Sequence, residues 1–245
     1  MRLIYLPLLL FILFGCRSEQ NINENKKLYL IEESKLSVPE PSGLAYTFNK
    51  DGFWTVSDEN SSVYLLNLEG KVIEKFKVDG KDLEGITVID EKTIAVISER
   101  TGEILILDTN GNEMSRMKLE IKYEVNLGLE GITIDRSNKL FYLVTERKPG
   151  LLIKTDEKLN IISADTLKFA KDYSGIFFDE KENSLWILSD ESQLVAKTDL
   201  NGNVIEKFET KIDQAEGICV ADAREKIFFV SDRKEKFYVY SLNSP

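Results

Sequence analysis

Apolar residues recur along the chain in short runs of five to eight, rich in Val, Ile, Leu, Phe and Tyr and punctuated by Gly, Asn, Asp and Ser. One stretch reads "GITVID", "TIAVISE", "EILILDT" and "EMSRMKLEI"; a later one reads "GIFFD", "SLWILSD", "QLVAKTD" and "NVIEKFE". Lengths of this kind, with β-branched and aromatic enrichment, predict strands and hairpins instead of helices. The turns "LEGK", "TNGN" and "LNGN" supply the positive φ that tight hairpins need.

The runs repeat. A small or acidic residue, then Gly, then Leu or Ile occurs at Ser42-Gly43-Leu44, Glu84-Gly85-Ile86, Glu130-Gly131-Ile132, Ser174-Gly175-Ile176 and Glu216-Gly217-Ile218, with the glycines 42, 46, 44 and 42 residues apart. At 13 or 14 residues beyond each glycine a second signature closes an apolar run, in "WTVSDE", "IAVISER", "FYLVTER", "LWILSDE" and "IFFVSDR". Units of four short strands at this period have the form of propeller blades. The last unit lacks one strand, and "KLYLIEES" at residues 27–34 is available to complete it and cover the open edge. The expected architecture is therefore all-β, a single propeller of five four-stranded blades over residues 27–245. Six blades is the rival, requiring an irregular blade within residues 101–129.

In such a blade the first strand lies innermost and successive strands run antiparallel. The start of strand one and the end of strand two then share one face of the disc, so both signatures meet at one channel mouth. Units with Glu before the glycine end the second signature in Arg, pairing Glu84 with Arg100, Glu130 with Arg147 and Glu216 with Arg233. Units with Ser there end it in Glu, pairing Ser42 with Glu59 and Ser174 with Glu191.

Two explanations stand side by side. One is a buried ion pair, whose half-removal costs about 3–5 kcal/mol and keeps the two positions in step. The other is a metal site in which Glu84, Glu130 and Glu216 offer hard oxygens to Ca2+, with Asp58, Glu59, Glu99, Glu146, Asp190, Glu191 and Asp232 as a further acidic ring. Ser57, Ser98, Thr145, Ser189 and Ser231 are expected to form side-chain to backbone turns. Trp54, Tyr142, Trp186, Phe228 and Phe229 fall inside second strands, as inter-blade packing.

The N-terminus changes the setting. "LIYLPLLLFILF" after Arg2 is too short to cross a bilayer and reads as a secretory signal over residues 1–15. "LFGC" resembles a lipoprotein processing site, which would leave Cys16 lipidated at the head of a polar tether, residues 16–26. Cys219 remains as a buried apolar residue, so no disulfide framework is expected.

Composition then removes function classes. The chain carries a net charge of −10, which disfavours nucleic acid as a partner. Histidine is absent, excluding a Ser-His-Asp triad, a His general base and an HExxH zinc site.

"PSGLAY", "LEGITV", "LEGITI", "YSGIFFD" and "AEGICV", each followed by its "SDE", "SER", "TER" or "SDR", resemble the SdiA-regulated, YjiK-like family of bacterial β-propellers. That resemblance implies an envelope-associated propeller of a family whose molecular activity is not established, with calcium-linked roles proposed for some relatives. A weaker similarity to the gluconolactonase and NHL-type propellers implies calcium ligation by Glu84, Glu130 or Glu216. The chain has Ile where that group has proline, and it lacks the histidines of paraoxonase-like lactonases.

The expected protein is a monomer, lipid-anchored to a bacterial membrane and facing away from the cytoplasm, with the outer membrane favoured. It is a noncatalytic binding or sensing module, with Ca2+ as its possible cofactor and its protein or small-molecule partner undetermined. The alternatives are a calcium-dependent hydrolase of a phosphate ester or lactone, and a scaffold for another envelope protein.

Overall fold

The computed structural model describes residues 25–119, 128–146, 148–223 and 225–244. Five sheets radiate from a central axis, four of them with their blade strands ordered from inside to outside along the chain. Blade 1 comprises Pro41–Tyr46, Gly52–Ser57, Ser62–Asn67 and Val72–Lys77; blade 2 comprises Leu83–Asp90, Thr93–Ser98, Glu103–Asp108 and Glu113–Lys118. Blade 3 is Leu129–Asp135, Leu140–Thr145, Leu151–Thr155 and Ile161–Thr166, and blade 4 is Gly175–Asp179, Ser184–Ser189, Leu194–Thr198 and Val204–Glu209.

Blade 5 takes Ala215–Val220, Lys226–Ser231 and Lys236–Ser241 from the end of the chain and its outer strand, Tyr29–Lys35, from the beginning. This closure matches the five-bladed expectation, and the described residues form five sheets, not six. The sequence did not suggest a further short strand, Lys26–Lys27, which lies parallel to Val204–Glu209 and ties the N-terminal segment to blade 4 before it crosses to blade 5. Among the described residues no helix is long and apolar enough to cross a membrane. The expected signal and the lipidated Cys16 lie outside the described residues.

The core lies between blades, because each sheet is apolar on both faces of its inner strands and must bury them against its neighbours. Five clusters result, one per interface. Trp54 packs 6.0 Å from Phe76 between blades 1 and 2, and Trp186 stacks 5.5 Å from Phe208 between blades 4 and 5. Tyr142 stacks 6.1 Å from Phe178 between blades 3 and 4, and Phe53 lies 5.0 Å from Phe228 between blades 5 and 1.

The inner strands approach one another closely enough to require glycine. A Cβ on Gly85 would sit 2.7 Å from the Glu130 carbonyl of the next blade, and one on Gly43 would sit 2.4 Å from the Glu84 carbonyl. Gly43 also has φ of +57°, a conformation that favours glycine. The Glu-Gly step is thus a structural joint through its glycine, which leaves the Glu side chain to be placed separately.

An acidic cup at one mouth of the channel

The register of the inner strands slips at the Ser-Gly or Glu-Gly step in blades 1, 2, 3 and 5. Such a bulge kinks the strand and re-aims the adjacent side chain. Here it helps turn Glu84, Glu130 and Glu216 into the channel mouth. The second signatures reach the same place through backbone clips. The amides of Asp58, Glu99, Glu146 and Asp232 donate to the carbonyls of Glu40, Asp82, Gly128 and Gln214 at 3.2, 2.8, 2.9 and 3.0 Å. In blade 4 the Asp172 carboxylate replaces that carbonyl, accepting from the Ser189 hydroxyl and from the amides of Asp190 and Glu191.

The serines of the second signature behave as turn formers. The hydroxyls of Ser98 and Ser231 donate to the carbonyls of Lys81 and Asp213 at 2.9 and 2.6 Å, and that of Ser57 donates to the Pro39 carbonyl. Thr145 accepts from the Leu151 amide at 2.9 Å.

Together these elements enclose a cup of about 390 Å³. Its lining is Glu40, Ser42, Asp58, Glu84, Glu99, Glu130, Glu146, Asp172, Ser174, Asp190, Glu191, Gln214, Glu216 and Asp232. Among the described residues, eleven of those fourteen side chains are carboxylic acids and none is a lysine or arginine. Beneath them the glycines and the Leu44, Ile86, Ile132, Ile176 and Ile218 side chains narrow the channel to a space of about 10 Å³, no more than one water can use. The cup is therefore blind, with an acidic wall and an apolar floor.

Two of the three expected arginine partners are elsewhere. Arg100 sets its fork on Asp82, at 2.6 and 2.8 Å, and not on Glu84. Its side chain is 66% exposed, on a turn that follows the second strand of blade 2 and carries it outward to solvent. Arg233 lies 3.7 Å from Asp213 and not at Glu216, again on the outer rim. Arg147 falls outside the described residues. Ser42 donates to Glu84 of the next blade at 2.7 Å and Ser174 donates to the Ala215 carbonyl at 2.7 Å, so the expected Ser42–Glu59 and Ser174–Glu191 pairings are replaced as well. Glu59 is the one residue of the expected acidic ring that does not line the cup.

With Arg100 and Arg233 engaged outside the cup, burial and mutual repulsion hold its carboxyls above their ordinary range. Glu84 is pushed up to about 8, chiefly by burial, with the Ser42 hydrogen bond opposing and Asp58, Glu99 and Asp82 adding to the rise. Glu130 is pushed up to about 10 by burial and then by Glu84, Glu146, Glu216 and Glu99. Glu216 rises well above its usual value by burial first and the neighbouring carboxylates second. Asp58, Asp190 and Asp232 shift the same way, each mainly by burial.

Three lining residues escaped the sequence comparison: Glu40, Asp172 and Gln214. All stand two positions before the Ser-Gly or Glu-Gly step, and extending the register comparison by two residues would have found them.

The family model for SdiA-regulated proteins matches residues 22–241, nearly the whole of the described propeller. The chain belongs to the SdiA-regulated family. Among solved structures, this SdiA-regulated protein is similar to the glutaminyl cyclase of Myxococcus xanthus, at 13% identity and a TM-score of 0.70 over 89% of this chain and 97% of that one. A nidogen/laminin complex gives 16% identity and a TM-score of 0.59, covering 82% and 76% of the two chains. Virginiamycin B lyase from Staphylococcus aureus gives 16% and 0.53, covering 83% and 66%. At such identities the likeness is one of fold.

Among the described residues, no three Asp, Glu or Cys side chains converge as a metal-binding group. The donor chemistry of the cup is nonetheless all oxygen, which suits a hard cation with waters completing its shell.

Proposed function

We propose that the acidic cup binds cations and that the protein is a noncatalytic binding or sensing module of the cell envelope. The observation that carries this reading is the crowding of eleven carboxylic acids around one blind cup while Arg100 and Arg233 are engaged outside it. Carboxyls crowded and desolvated in this way hold protons at neutral pH and give them up to a divalent cation, whose charge relieves their mutual repulsion. Ca2+ is the first candidate, with Glu84, Glu130 and Glu216 as its ligands and water bridging the remaining gaps. Lipidation at Cys16 and the tether of residues 16–26 would hold the propeller at a membrane surface, outside the cytoplasm.

The test is metal content of protein purified without chelator, together with calorimetric titration by Ca2+, on the wild type and on Glu130→Gln. Bound Ca2+ in the first and weakened binding in the second are expected. Absence of metal and of Ca2+ heat in both would sink the calcium assignment. A parallel screen of phosphatase, phytase and lactonase substrates with Ca2+ addresses catalysis: turnover lost with chelator and with Glu130→Gln would replace the binding reading by a calcium-dependent hydrolase. Labelling with a radioactive fatty acid, lost on Cys16→Ser, tests the anchor.

A further inference from the structure

The five second strands present homologous positions to the five blade interfaces. Opposite Ala45, Thr133, Phe177 and Cys219 of the inner strands stand Trp54, Tyr142, Trp186 and Phe228. Opposite Thr87, the equivalent residue of blade 2, stands Ala95. Each of the four rings belongs to the apolar cluster between its own blade and the next. Ala95 occupies the same place in the cluster between blades 2 and 3, so that interface lacks a ring at this position and, among the described residues, holds only Phe141, from the second strand of blade 3. On the outer strand, Phe76 and Phe208 flank Trp54 and Trp186 in blades 1 and 4, whereas the equivalent position is Met117 in blade 2, Asp165 in blade 3 and Ser34 in blade 5.

An open cleft lies at this interface. Its volume is about 550 Å³, and its walls are Ile89, Ile106, Met117, Ile134 and Phe141. Ile106 is the cross-strand neighbour of Ala95, so the cleft begins beside the position where the aromatic side chain is missing. Its rim carries both signs of charge, and Lys139 is paired with Glu157 there at 2.9 Å. Apolar cavities of only about 150 Å³ already admit a benzene ring.

We infer that the cleft between blades 2 and 3 is a binding site for a small uncharged aromatic molecule of one or two fused rings. The guest takes the place that Trp54, Tyr142, Trp186 and Phe228 fill at the other interfaces, and any polar substituent points to the mixed-charge rim. The site is on the flank of the disc, separate from the acidic cup, so its occupancy neither requires nor excludes a cation there.

Indole is a suitable probe, titrated into the full propeller with isotope-labelled Ile and Met methyl groups. Saturable shifts at Ile89, Ile106, Ile134 and Met117, with a dose-dependent rise in Tm, are the expected result. Ala95→Trp supplies the missing ring and Met117→Phe the missing flank; each should weaken indole binding about tenfold or more. The inference is overturned if indole causes no saturable shift at those methyl groups. It is equally overturned if shifts centre on the cup, or if the folded variant or variants bind indole as the wild type does.

Discussion

The Ser42 hydroxyl donates a 2.7 Å hydrogen bond to the Glu84 carboxylate and so joins the inner strands of blades 1 and 2 at the wall of the cup. This bond opposes the rise that burial imposes on Glu84. Ser42→Ala should therefore move the Glu84 titration above about 8, as followed by carboxyl-carbon NMR. A hydrogen bond to an ionised group contributes about 1.5–3 kcal/mol, so the stability loss should be larger at alkaline pH than at pH 6. A titration of Glu84 identical to wild type would show that the hydroxyl does not govern it.

The raised carboxyls make stability fall as pH rises. A carboxyl that titrates near 8 or 10 when folded but near 4.5 when unfolded binds its proton more tightly in the native state. Its contribution is unfavourable from about pH 4.5 upward and grows until the folded value is passed, at up to about 1.4 kcal/mol per pH unit for each proton. Asp108 and Asp156, lowered chiefly by hydrogen bonds from Asn112 and Asn160, lose stabilisation only at more acidic pH and do not mask the trend. In buffer free of divalent cations, Tm should rise as pH is lowered from 8 to 5. Glu130→Gln should flatten that slope and be more stable than wild type at pH 8. A wild-type profile that is flat or rises with pH would contradict this assignment.

Arg100 provides a direct check on where the arginines act. Its partner Asp82 is 22% exposed and Arg100 itself 66%, and ion pairs so close to solvent contribute about 0–1 kcal/mol. Arg100→Ala should cost no more than that in denaturant unfolding. A loss of about 3–5 kcal/mol would instead be the mark of an abandoned buried charge, as expected for a partner of Glu84.

The blades were legible in the sequence because a β-propeller repeats one local solution five times, and five copies of Gly followed by Leu or Ile in register expose it. The common mouth of the two signatures was legible for the same reason, since antiparallel strands place them together. Their partners were not. Asp82 and Glu84 both precede Gly85 within three residues, and a co-occurrence of Glu84 with Arg100 cannot say which carboxylate the guanidinium reaches. The direction of the turn at Glu99–Thr101 decides that, and it is a three-dimensional fact. Asp172 was hidden because it substitutes its side chain for a backbone carbonyl used in other blades. Ala95 was hidden because a small residue in a strand raises no question until its four counterparts are seen as rings.

The glycine of the Glu-Gly step can be tested apart from its acid. A Cβ on Gly85 would stand 2.7 Å from the Glu130 carbonyl, 2.8 Å from the Ile97 Cδ1 atom and 2.9 Å from the Ile132 amide nitrogen, contacts that include backbone of the neighbouring blade. Backbone cannot swing aside as a flexible side chain does, so the inner strands of blades 2 and 3 would have to separate. Gly85→Ala should cost about 1–3 kcal/mol, the usual penalty for overfilling a packed site. Gly102 is the control: it has φ of +64° but nothing within 4 Å of its absent Cβ. Gly102→Ala should cost only the left-handed backbone penalty of about 1–2 kcal/mol and leave the cup unchanged. Because Gly85 sets the spacing between Glu84 and Glu130, its Ala variant should also weaken Ca2+ binding, whereas Gly102→Ala should not. Equal Ca2+ affinity in both variants would mean that the spacing of the inner strands does not control the cup.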